Sequence, residues 1–181
     1  VFGSFTFSGK LLQELTGYTI LKVGLILSLF GLGTVFGGRI APQIKKALSH
    51  GFLVLAGLLG FAGISLLSRS QHVILLSVGL FLFGIAFIFL QTTLVSTAQA
   101  KLPAMRGTAM SLASFNMFVG GALGTALNGF IMNSYGIGMV FRIASFVLLG
   151  ASLAAALFVA RFEIRKSKII QDKPEIPEIA V

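Results

Sequence analysis

The chain carries five continuous apolar runs, over residues 19–41, 47–67, 72–97, 105–132 and 138–160. Crossing the hydrocarbon core of a bilayer takes about 20 mostly apolar residues in a helix, and each run is long enough. Strands would alternate, and these runs do not. Backbone amides in lipid must be satisfied within their own segment, which leaves the helix as the spanning conformation. A sixth apolar stretch, 1–12, is too short to span and reads as the end of a helix cut by the start of the chain. The predicted fold class is all-α, a polytopic membrane helix bundle over 1–161.

Composition agrees. Of 181 residues, 56% are hydrophobic and 10% charged, where soluble domains carry about 25% charged residues. The net charge of +9 would suggest nucleic acid in a soluble protein. Here the cations sit between apolar runs, so a cytosolic enzyme and a nucleic-acid binder are both set aside, and the bilayer is the expected surrounding. Cysteine is absent, which removes disulfides and thiolate chemistry. No basic region and cleavage site follow Val1, so no signal peptide is read, and a missing upstream part is expected.

Short connections separate the runs. Gly17 follows the partial helix, Pro42 with Lys45 and Lys46 is expected to break the chain after the first full span, and 68–71 is a polar turn. Lys101-Leu102-Pro103 ends the third full span, because proline lacks a donor and disfavours helix before it. A Gly-rich turn is expected over 133–138. From Phe162 the composition changes: Glu163, Asp172, Glu175, Glu178 and two prolines lie there. Residues 162–181 are read as a tail, disordered from Lys168.

The charges orient the spans. One side receives Lys10, Lys22, Arg69 and Arg142. The other receives Arg39, Lys45, Lys46, Lys101, Arg106, Arg161, Arg165, Lys166, Lys168 and Lys173. The positive-inside rule makes the second side cytoplasmic, with the C-terminus inside a cell membrane.

Polarity then ranks the spans. The third ends in Gln91, Thr92, Thr93, Ser96 and Thr97, and the fourth holds Ser111, Ser114, Asn116 and Asn128. Unpaired polar groups facing hydrocarbon cost several kcal/mol each. The third and fourth spans are therefore expected to line an interior, and the apolar second and fifth to face lipid; polar glue between helices is the other reading. Gly33 with Gly37, and Gly120 with Gly124, have the small-xxx-small spacing of close helix packing.

Residues 106–129, including Gly120-Gly-Ala-Leu-Gly124 and Gly129, resemble the eleventh helix of major facilitator superfamily transporters, most closely in the twelve-span drug-efflux branch. That branch carries G-x-x-x-G-P-x-x-G-G there; this chain has Thr125 for the proline and Asn128 for a glycine. Residues 37–46 are similar to the family's cytoplasmic loop G-x-L-A-D-R-x-G-R-R. Gly38, Ile40, Ala41 and Lys46 fit, while Pro42, Gln43 and Lys45 replace its aspartate, arginine and glycine. The resemblance implies the C-terminal six-helix half of the fold with its first helix truncated, a missing N-terminal half of the same chain as partner, and alternating access around a midplane site.

On the third full span, Phe83, Phe87 and Gln91 recur every fourth residue. They share a broad face that suits a lipophilic small-molecule substrate or a packed core stripe. Asn116 is expected at the same cavity, and Ser4 and Thr6 are candidates on the partial helix. Gly33, Gly37, Gly120, Gly124 and Gly129 are expected at helix contacts. Glu14 reads as a solvated partner of Lys10. Intramembrane hydrolysis lacks its residues: Gly63-Ile-Ser65-Leu66 has no second glycine, and His50 and His72 sit at span ends. No metal cluster or phosphate loop is present in the sequence, so neither cofactor nor enzyme activity is expected. The expected function is secondary transport, as proton-coupled efflux of lipophilic compounds. A sugar or metabolite carrier, and a non-transporting scaffold or sensor, are the alternatives.

Overall fold

The computed structural model describes residues 2–48, 51–69 and 72–171. Six α-helices follow one another among them: α1 (Phe2–Thr16), α2 (Ile20–Leu48), α3 (Gly51–Arg69), α4 (Val73–Lys101), α5 (Arg106–Tyr135) and α6 (Ile137–Gln171). Five are long and apolar enough to cross a membrane, so the protein is a multi-pass membrane bundle.

The turns follow from residues that end helices. Gly17 takes φ +65°, and its N–H donates to the Gln13 carbonyl at 2.9 Å, a left-handed cap that glycine adopts without a Cβ clash. Gly136, at φ +83°, donates to the Met132 carbonyl at 2.9 Å and forms the whole link between α5 and α6. The expected turn over 133–138 thus narrows to one residue. Pro103 opens a 3-10 turn, Pro103–Met105, after α4.

Two expected helix boundaries fail. Pro42 lies inside α2 and does not end it. Its ring forfeits the bond to the Gly38 carbonyl, but Ala41 is buried, and Ile40 and Ile44 pack against a core of Phe52, Ala56, Ile85 and Phe89. Those contacts carry the helix past the proline. The second departure is α6, which continues to Gln171 into the stretch read as a tail. No proline or glycine interrupts 162–171. Residues 172–181 lie outside the described residues.

Packing in lipid gains little from hydrophobic transfer, because acyl tails are as apolar as leucine; close van der Waals contact decides it. Gly33 and Gly84 place α2 against α4. A Cβ on Gly84 would strike the Phe30 carbonyl oxygen and come within 3.2 Å of Gly33 Cα. Gly63 and Gly79 do the same for α3 and α4, each Cβ position lying 2.7–2.8 Å from the other's carbonyl oxygen. Gly57 takes the Ser152 side chain of α6. As a result α3 is sandwiched between α4 and α6, and 44% of its most apolar window is buried. The expectation that this span faces lipid is corrected: its lack of polar groups reflects an apolar helix–helix interface. Leu58 on its outer side is exposed.

At the end of α2 that carries its lysines, Lys45 Nζ donates to Ser96 Oγ of α4 at 2.7 Å. Lys45→Met and Ser96→Ala are each expected to lower stability by about 1 kcal/mol, the value of a part-exposed charged hydrogen bond. The double variant should lose no more than either single one, which equilibrium unfolding in mixed micelles will measure.

Candidate functional site

A groove of about 530 Å³ opens between α4 and α5, with Ala151 of α6 beneath it. Phe87, Leu90, Gln91 and Leu94 come from α4, and Asn116 and Met117 from α5. Gly120 borders open space, where a Cβ would meet nothing within 4 Å, and it lines this groove and a neighbouring cavity of about 340 Å³. That second cavity is bounded by Ser4, Ile64, Gly124 and Asn128.

The polar groups differ in what they have left to offer. Thr92 and Thr93 donate to the Ile88 and Phe89 carbonyls at 2.8 and 2.9 Å. Ser111 and Thr125 likewise donate to carbonyls four residues back, the usual local solution for hydroxyls in a helix. Asn116 Nδ2 donates to the Leu112 carbonyl at 2.9 Å, which leaves its Oδ1 and one N–H for another partner. Gln91 is half-buried and has no hydrogen-bond partner among the described residues. Its donors and acceptor are therefore free for an occupant of the groove. No charged side chain lines the groove among the described residues.

Of the residues picked from sequence, Phe87, Gln91 and Asn116 meet at this groove. Phe83 does not. It is fully buried in the core with Leu80 and Ile64, its ring 5.4 Å from that of Phe30. Each four-residue step advances a helix by about 40° beyond a full turn, so Phe83 and Gln91 point about 80° apart. Phe87 stands between them, 5.7 Å from Phe30, at the junction of core and groove. Ser4 is buried at the second cavity, whereas Thr6, two residues on, is exposed and lines neither.

The glycines divide in the same way. Gly33 and Gly37 are at tight crossings, a Cβ on Gly37 lying 2.7 Å from the Ile88 side chain. Gly120 borders open space. Gly124 meets only Gly3 Cα, at 3.8 Å, and Gly129 only the Phe7 ring, at 4.0 Å. In the α1–α5 contact the crowded residue is Gly3, whose Cβ would lie 2.6 Å from the Gly124 carbonyl carbon. Sequence reasoning missed Gly3 because it has no small partner four residues away. It also missed Phe30, whose ring joins α1, α2 and α4 and lies 4.3 Å from Phe5; one phenylalanine among many leaves no periodic signal.

Much of the α5 surface is exposed, although the helix packs against α1, α4 and α6. Only 6% of the apolar window of that span is buried, and Phe115, Phe118, Leu123, Leu127 and Phe130 are exposed along it.

The chain matches the family model described as transmembrane secretion effector over residues 11–179. It is 30% identical over 158 residues to the inner membrane transport protein YajR of Escherichia coli, covering 86% of this chain and 34% of that protein. It is 28% identical over 136 residues to the uncharacterized MFS-type transporter YceJ of Bacillus subtilis, covering 74% of this chain and 34% of that one. The chain thus spans about a third of the length of the curated relatives it matches. No solved structure gives a significant match.

Proposed function

This chain belongs to the major facilitator superfamily of membrane transporters, and from that premise we propose that it forms the C-terminal half of a secondary transporter. It exports small lipophilic compounds from a cell in exchange for protons. The observation that carries the reading is the pairing of two amides, Gln91 on α4 and Asn116 on α5, over an otherwise apolar groove. Such a lining takes up apolar rings and orients them through one or two hydrogen bonds. It suits a sugar less well, since each hydroxyl of a sugar needs its own partner. The exposed face of α5 packs against the remaining helices of the same protein, and the two halves rock about the groove. A coupling carboxylate lies outside this chain's spans. Glu14 is 3.8 Å from Lys10, with both side chains half-exposed, and a solvated pair of this kind is worth at most about 1 kcal/mol.

Two measurements test this. In proteoliposomes of the full-length protein, a planar lipophilic dye should move only while a pH gradient is maintained. Flux that persists without the gradient removes proton coupling, and absence of flux for every lipophilic probe removes the transport assignment. For orientation, reporters inserted after Leu48 and in the connection over 69–72 should report opposite faces, the first cytoplasmic and in line with the excess of Lys and Arg there. The same compartment for both would overturn the alternation of spans.

A further inference from the structure

We propose that Arg69 and Arg142 form a binding site for the phosphate of an anionic phospholipid headgroup, in the leaflet on their side of the membrane. Arg69 ends α3 and Arg142 lies in the second turn of α6. Both line one cavity of about 150 Å³, roughly ten times the space that admits a single water.

The four cations of this membrane side behave differently. Lys10 has Glu14. Lys22 sits 5.2 Å from the centre of the Tyr18 ring. Arg69 and Arg142 have no carboxylate, and no hydrogen-bond acceptor for either guanidinium, among the described residues. Both are exposed and face the same cavity from opposed helices. An anion seated in a cavity that two like charges share is attracted by both, and the guanidinium fork matches two phosphate oxygens at once.

The walls select a lipid as the source of that phosphate. Ser68 Oγ donates to the Ser65 carbonyl at 3.0 Å, and Ser145 Oγ donates to the Arg142 carbonyl at 2.8 Å. The hydroxyl protons are thereby committed to backbone, and the arginines supply the donors. One helical turn from the polar residues toward the bilayer centre, Phe61 and Phe146 meet edge to face at 5.5 Å and line the same cavity. Phe146 is 66% exposed, so it is an outward-facing surface. Charge at the headgroup level with aromatic surface beneath it follows the polarity of a phospholipid. The site lies between α3 and α6, apart from the α4–α5 groove, and does not depend on what the protein transports.

Delipidated full-length protein in detergent, titrated with phosphatidylglycerol and followed by native mass spectrometry, tests the site. Arg69→Gln with Arg142→Gln should weaken phosphatidylglycerol binding about tenfold or more, the loss of about 1.4 kcal/mol that charged hydrogen bonds readily exceed. Arg69→Lys with Arg142→Lys should recover part of it, keeping charge without the fork, and Lys22→Gln should leave it unchanged. If the glutamine pair does not fold, the lysine pair and the single variants carry the comparison. Unchanged affinity in the folded variants overturns the site. Equal affinity for phosphatidylcholine of the same chains overturns the anionic selectivity. Displacement of the lipid by equimolar inorganic phosphate overturns the assignment to a lipid.

Discussion

Gly84→Val is expected to destabilise the bundle by about 3 kcal/mol or more, the upper part of the range for overpacking. The added Cβ alone would meet the Phe30 carbonyl and the Gly33 backbone. Neither is the free end of a flexible side chain, so neither can turn aside. Relief would require α2 and α4 to separate, and that would loosen the Phe30 contacts with Phe83 and Phe87. No hydrophobic force between helices compensates in lipid. Gly24→Ala in the same α2 is the control: its Cβ would meet nothing within 4 Å, and alanine is the better helix former by about 1 kcal/mol. Helicity followed through an unfolding titration in mixed micelles will separate the two. Equal midpoints for Gly84→Val and the parent protein would show that the crossing is not where the fold is held.

Gln91→Leu in the full-length protein should lower the flux of hydrogen-bonding substrates about tenfold or more and leave membrane insertion intact. Leucine keeps the approximate volume and removes every donor and acceptor. A hydrogen bond of about 1.4 kcal/mol corresponds to that factor. Insertion is spared because Gln91 makes no bond to the protein among the described residues, and leucine is the easier residue to place in lipid. Asn116→Leu should act in the same direction. If both amides hold one substrate, the two effects will be non-additive. Initial rates in proteoliposomes, normalised to inserted protein, check this, and unchanged flux for all substrates tested removes Gln91 from the site.

Part of that groove is readable without a structure. Gln91 and Asn116 stand out as amides inside apolar runs, and a polar group at membrane depth needs a reason. Phe83 misleads, because fourth-residue spacing drifts around the helix and carries one end of the stripe into the core. Gly120 differs again. Its spacing to Gly124 satisfies a packing pattern, and within this chain a Cβ there would meet nothing within 4 Å, while the residue lines both cavities. Pro42 shows local preference yielding to tertiary contact: one backbone bond is lost, and the packing of Ala41, Ile40 and Ile44 holds the helix together.

The existence and number of the apolar spans are legible in the sequence alone. Insertion into a bilayer depends on apolarity summed along a single helix, and the flanking cations add their bias span by span. Which face of each helix meets lipid, another helix or the groove was decided only by the assembled bundle. Leucine against an acyl chain and leucine against leucine are nearly equivalent in free energy. Hydropathy therefore could not distinguish the sandwiched α3 from a lipid-facing helix, and backbone approach at Gly33, Gly63 and Gly84 made that choice.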